Sequence, residues 1–142
     1  MRNSELPTNL INNYLATHYQ IGAGAEIFTL YINQYSKALL QQLSVHQKDC
    51  AAIITGYNPL SQMQSHERNL IANTKLLEVL ENYSDTIIQS VNIDPSGNWS
   101  NEESFFISGL SLTIAKSIGQ QFNQNAIVWT DNRAIPQLIL LR

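Results

Sequence analysis

The sequence predicts a single α/β or α+β domain, residues 1–142, in which three or four helices pack against a compact mixed sheet. Three observations lead there. Stretches rich in β-branched and aromatic residues alternate with stretches whose apolar residues recur at helical spacing. Clusters of Gly, Pro, Asp and Asn separate the two kinds. Hydrophobic residues, 44% of the 142, are spread along the whole chain, enough for one core without a metal or a disulfide.

Leu6 to Ala16 reads as a first helix, with Thr8 as its cap and Leu10, Ile11, Tyr14 and Leu15 on one side. Residues 1–13 are expected to include a less ordered or peripheral N-terminal segment. Thr17–Ile21 reads as strand, and Gly22-Ala23-Gly24 turns the chain into a second strand around Glu26–Ile32. Ser36 caps a helix with Leu39, Leu40 and Leu43 as its stripe. Cys50–Thr55, apolar without alternation, predicts a buried central strand, and Pro59 holds Asn58 out of helical geometry in a shaped loop at its end. The strongest helix runs from Ser65, its cap, to about Asn82, with Leu70, Asn73, Leu77 and Leu80 at helical spacing. Thr86–Ile93 and Glu103–Ser108 read as strands joined through the turn residues Asp94-Pro95-Ser96-Gly97-Asn98. Ser111 caps a helix lined by Leu112, Ala115, Ile118 and Phe122. Ala126–Thr130 and Ile135–Leu141 close the chain as strands.

Composition bounds the function. Eight Lys plus Arg against eleven Asp plus Glu give a formal charge of −3, with the basic residues scattered from Arg2 to Arg142. Nucleic-acid binding driven by phosphate contacts is therefore disfavoured, because it needs a local positive field. Cys50 is the single cysteine, which excludes an intrachain disulfide; it is expected as buried filler. No apolar run approaches spanning length, so a cytoplasmic protein without membrane contact is expected. No phosphate loop, dinucleotide fingerprint, nucleophile elbow or HExxH helix occurs, and His18, His46 and His66 stand apart, so neither cofactor nor metal is expected.

Polar residues concentrate in three places. The first is Thr55-Gly56-Tyr57-Asn58-Pro59 with Asn69 and Asn73, which lie four apart on one helix face and either tie loop to helix or also frame a pocket. The second is Trp99 to Ser104. Adjacent Glu102 and Glu103 point to opposite faces of an extended segment, so only one of them faces a site; Glu103 either accepts hydrogen bonds in a structural network or engages a ligand donor, and Glu102 is expected on the solvated surface. Trp99 either stacks a flat ligand or covers a core edge. The third is Gln120 to Trp129, where Gln124 and Asn125 either cap backbone groups or contact a ligand, and Trp129 belongs to the core.

These stretches carry a resemblance. ITGYNP at Ile54–Pro59, the Asn69/Asn73 helix, EESFFISGLS at Glu102–Ser111 and QNAIVW at Gln124–Trp129 together resemble the domain of unknown function 3293 family of small bacterial proteins. The resemblance implies a shared fold and a shared site near the recurring polar residues, without a substrate or reaction. It also implies that alanine is common where this chain has Gly56.

The function expected from the residues is that of a non-catalytic or regulatory binding domain for a small polar ligand or a protein partner. Thr55, Tyr57, Asn58, Asn69, Asn73, Trp99, Glu103, Gln124 and Asn125 are its candidate ligand-binding residues. The alternative is a small-molecule enzyme with Glu103 as general acid or base and Tyr57 or an asparagine orienting the substrate. The catalytic residues of such an enzyme and the oligomeric state are not readable from the sequence.

Overall fold

In the computed structural model, which describes residues 4–142, seven strands form one sheet in the order β2-β1-β4-β5-β3-β6-β7. The strands are β1 (His18–Ile21), β2 (Phe28–Leu30), β3 (Ala51–Ile54), β4 (Ile87–Ile93), β5 (Glu102–Ser108), β6 (Ala126–Thr130) and β7 (Gln137–Leu140). All six pairings are antiparallel and the sheet is curled, so the fold is α+β and its sheet is narrower in type than a mixed one. Sequence-adjacent strands pair as β1–β2, β4–β5 and β6–β7, and β3 inserts between β5 and β6 as the central strand its apolar run predicts.

Four helices, α1 (Thr8–Ala16), α2 (Lys37–Val45), α3 (His66–Leu80) and α4 (Leu112–Gln121), flank the sheet among the described residues. Ser36, Ser65 and Ser111 cap α2, α3 and α4 as expected, each hydroxyl accepting the backbone N–H three residues on. The first helix departs from expectation. Pro7 occupies the cap position and Thr8 is already helical, with no side chain capping it. Pro7 sets the extended entry, and its carbonyl accepts from the amides of Leu10 and Ile11. Of the N-terminal segment expected at 1–13, residues 1–3 lie outside the described residues. The expected second strand is shortened to β2 because Gly24–Glu26 forms a 3₁₀ turn before it.

Both faces of the sheet are covered. On one, Tyr19, Ile21, Leu30, Ile53, Phe106 and Val128 pack with Leu39 and Leu43 of α2. On the other, Ala52, Ile54, Phe105, Ile107 and Ile127 pack with Leu76 and Leu80 of α3 and with Ala115 and Ile118 of α4. Phe105 and Phe106 enter different cores because successive strand residues alternate in direction.

Two further expectations shift. The buried face of α3 is Asn69, Asn73, Leu76 and Leu80, while Leu70 is exposed and Leu77 half-buried. Cys50 is half-buried at the entry to β3, its thiol donating to the Leu110 carbonyl at 3.2 Å. No helix among the described residues is long and apolar enough to cross a membrane.

Candidate functional site

The loop leaving β3 is buried as far as Asn58. It is also conformationally costly: Asn58, Leu60 and Ser61 all have positive φ, at 46°, 58° and 57°. Asparagine tolerates this region; leucine does so at roughly 1–3 kcal/mol and only where its surroundings hold it. The holding bonds can be followed residue by residue. The Thr55 hydroxyl donates to the Glu103 carbonyl at 2.6 Å and accepts the Tyr57 amide at 3.0 Å. The Gly56 amide donates to Asn73 Oδ1 at 2.7 Å and the Asn58 amide to Asn69 Oδ1 at 2.8 Å. Leu60 N–H reaches the Asn123 carbonyl at 2.7 Å, and Gln124 Nε2 donates to the Tyr57 carbonyl at 3.1 Å.

Asn69 and Asn73 thus fasten loop to helix. Each is 5% exposed, and Asn73 Nδ2 also donates to the Glu103 carbonyl while Asn69 Nδ2 donates to Asn58 Oδ1. Gly56 is what lets α3 come this close. A Cβ there would lie 3.0 Å from the Ala72 carbonyl carbon and 3.1 Å from Asn73 Oδ1, so a chain with alanine at this position must hold α3 a few tenths of an ångström farther out.

In front of this loop, on the α2 face of the sheet, is a cavity of about 70 Å³. Thr55, Tyr57, Asn58 and Ser61 line it from the loop, Trp99 and Glu102 from the β4–β5 connection and the start of β5, and Gln124 and Ala126 from the entry to β6. Asn92 and Asp94 contribute from the end of β4, and Tyr19, Ile53, Val128 and Leu138 form an apolar floor. Helix α1 covers it with Leu10, Asn13 and Tyr14. That helix buries no residue. Its polar ties to the site are the Tyr14–Ser61 hydroxyl pair and the Tyr19 hydroxyl, which donates to the Tyr14 carbonyl at 3.2 Å.

The cavity corrects the reading of the two glutamates. Glu102 shares its face of β5 with Ser104 and Phe106 and lines the cavity, whereas Glu103 is exposed and does not line it. Glu102 Oε2 accepts from Asn58 Nδ2 at 2.7 Å and from Trp99 Nε1 at 3.1 Å. Burial pushes its carboxyl above the usual range, and those two donors pull the other way without cancelling the effect. Glu103 Oε2 accepts the Tyr57 hydroxyl at 2.8 Å. Burial first, then that bond and the two glutamate charges, push the Tyr57 phenol up to about 12. Asp94 behaves oppositely, held below its ordinary value by the hydroxyl and amide of Ser96.

Of the candidate residues, Thr55, Tyr57, Asn58, Trp99 and Gln124 therefore meet at one cavity. Asn69, Asn73, Glu103 and Asn125 do not line it; Asn125 instead donates to Ser61 Oγ at 2.7 Å and so steadies the tie to α1. The residues missed from sequence are Glu102, Tyr14, Ser61, Asn92 and Asp94. Tyr14 was visible as part of an apolar helical stripe, but nothing local names Ser61 as its partner. Replacing Tyr14 by Phe is expected to loosen α1 by about 1 kcal/mol, seen as roughly fivefold faster hydrogen exchange of α1 amides with the sheet amides unchanged.

The family model described as protein of unknown function (DUF3293) matches residues 54–127. That interval holds the β3 loop, α3, Trp99, Glu102 and Gln124. No curated protein and no solved structure matches the chain.

Proposed function

The chain belongs to the DUF3293 family of proteins of unknown function, and we propose that it is a binding domain for a small polar molecule held between the curled sheet and helix α1. The observation that carries this reading is the convergence of three stretches, separated by some forty and twenty-two residues, on one cavity with a mixed polar and apolar lining. The costly loop geometry supports it too, since backbone strain of this kind clusters at ligand sites. A cytoplasmic location accords with the single cysteine. The enzyme alternative built on Glu103 loses support, because that carboxylate lies outside the cavity and reaches it only through the Tyr57 hydroxyl.

A metabolite screen by thermal shift, run in parallel on the wild type and on Ala126→Leu, tests the proposal. Ala126 shares its strand face with Val128 and lines the cavity, so leucine there fills the space a guest needs. Compounds that raise the wild-type melting temperature and leave a folded Ala126→Leu unaffected are expected. Equal shifts in both proteins, or none in either, would count against a ligand in this cavity and favour the protein-partner reading.

A further inference from the structure

We propose that the guest is a small organic cation, an ammonium or amidinium head group that donates hydrogen bonds to Glu102 and Gln124 and packs against Trp99 and Tyr14. The inference rests on the binding reading above and names its ligand class.

Charge is the first argument. Glu102 and Asp94 line the cavity, and no Lys, Arg or His among the described residues does. The salt bridge found among those residues, Arg133–Asp131, involves neither of the cavity carboxylates. A partly desolvated carboxylate without a counter-charge is costly, and a cationic guest supplies what the protein does not. An anionic guest would add a third negative charge at close range.

Hydrogen-bond capacity points the same way. Both protein donors to Glu102 go to Oε2, and Oε1 accepts from no described residue. Gln124 has both of its contacts through Nε2, to the Tyr57 and Phe122 carbonyls, which leaves Oε1 without a donor. Neither oxygen is sealed from solvent, for among the described residues the Ser108 hydroxyl is the one fully enclosed side-chain polar atom without a partner. Two free acceptors at one cavity call for a guest rich in N–H. The walls agree, since the aromatic residues Trp99 and Tyr14 line the cavity, and aromatic rings attract cations. A volume of about 70 Å³ admits a head group of a few heavy atoms.

The test uses nuclear magnetic resonance on the full chain titrated with ethylammonium chloride and acetamidinium chloride, with acetamide as the neutral and sodium acetate as the anionic comparator at equal ionic strength. Saturable shifts of the Trp99 indole N–H and the Gln124 side-chain amide are expected with the cations. Acetamide should bind at least about tenfold more weakly, because charge-assisted hydrogen bonds are roughly twice as strong as neutral ones. Glu102→Gln should keep the wild-type spectral dispersion and lose at least about tenfold in cation affinity. Acetate or acetamide saturating the same resonances better than the cations, or Glu102→Gln binding cations like the wild type, would overturn the cation assignment while leaving a ligand cavity in place. If none of the four probes moves those resonances, the cation assignment falls, and the metabolite screen then decides separately whether the cavity binds anything.

Discussion

Asn73→Ala is expected to cost about 2–3 kcal/mol of unfolding free energy. The Asn73 amide sits 5% exposed on the inner face of α3 and joins three elements. Its oxygen satisfies the Gly56 amide at 2.7 Å, and its nitrogen satisfies the Glu103 carbonyl at 3.0 Å. That carbonyl keeps a second donor, the Thr55 hydroxyl, but the Gly56 N–H has no other acceptor and is buried under α3. Leaving it unmatched costs its full desolvation, to which the small void left by the amide adds. Urea unfolding followed by circular dichroism should show a lower midpoint with an unchanged slope. A loss below about 0.5 kcal/mol would mean that the loop finds another partner, and the account of how its strain is held would be wrong.

Asn69→Ala should behave differently, because Asn69 positions a cavity residue. It receives the Asn58 amide and returns a donor to Asn58 Oδ1, while Asn58 Nδ2 holds Glu102. Its removal acts on the carboxylate through Asn58, so any ligand affinity should fall along with stability.

Much of this was legible in the sequence. The three serine caps mark the starts of α2, α3 and α4, because a side-chain oxygen before an apolar period has one economical use. The proline and glycine of the Asp94–Asn98 turn stop β4 where its apolar residues end, and Gly97 takes the positive φ the turn needs. Strand faces were harder to read. The rule that Glu102 and Glu103 oppose one another is sound, but Phe105, Phe106 and Ile107 are all buried, so no polar–apolar alternation shows which parity faces the cavity. Register decides it: Glu102 pairs with Asn92 and Glu103 with Val91, a long-range fact absent from either segment alone. The stripe of α3 misled for a related reason. Leu70 is the conspicuous apolar residue, yet the series 69, 73, 76, 80 turns inward, and its first two members are asparagines because the loop opposite presents backbone N–H groups.

Acidification is expected to move stability and cation binding in opposite directions, which separates the Glu102 charge from every other feature of the site. Burial raises the folded-state pKa of Glu102 above its ordinary value, so between the two the native state holds more protons than the unfolded chain. The contribution to stability is therefore complete below the unfolded value and is lost as pH rises through the folded one. Above that window the ionised carboxylate weakens the fold, and Glu102→Gln should melt no lower than the wild type at neutral pH. Binding of ethylammonium needs the ionised form, so its affinity should fall about tenfold per pH unit below the folded pKa. The other titratable groups at the cavity leave this window clear. The Tyr14, Tyr19 and Tyr57 phenols are all raised and remain protonated, and Asp94, held low by Ser96, titrates at more acid pH. Parallel titrations of melting temperature and of ethylammonium affinity should cross in sign in the wild type, and in Glu102→Gln both the stability gained on acidification and the steep fall in affinity should be lost. A wild type whose affinity stays flat as its stability rises on acidification would show that the Glu102 proton is linked to folding and not to the guest.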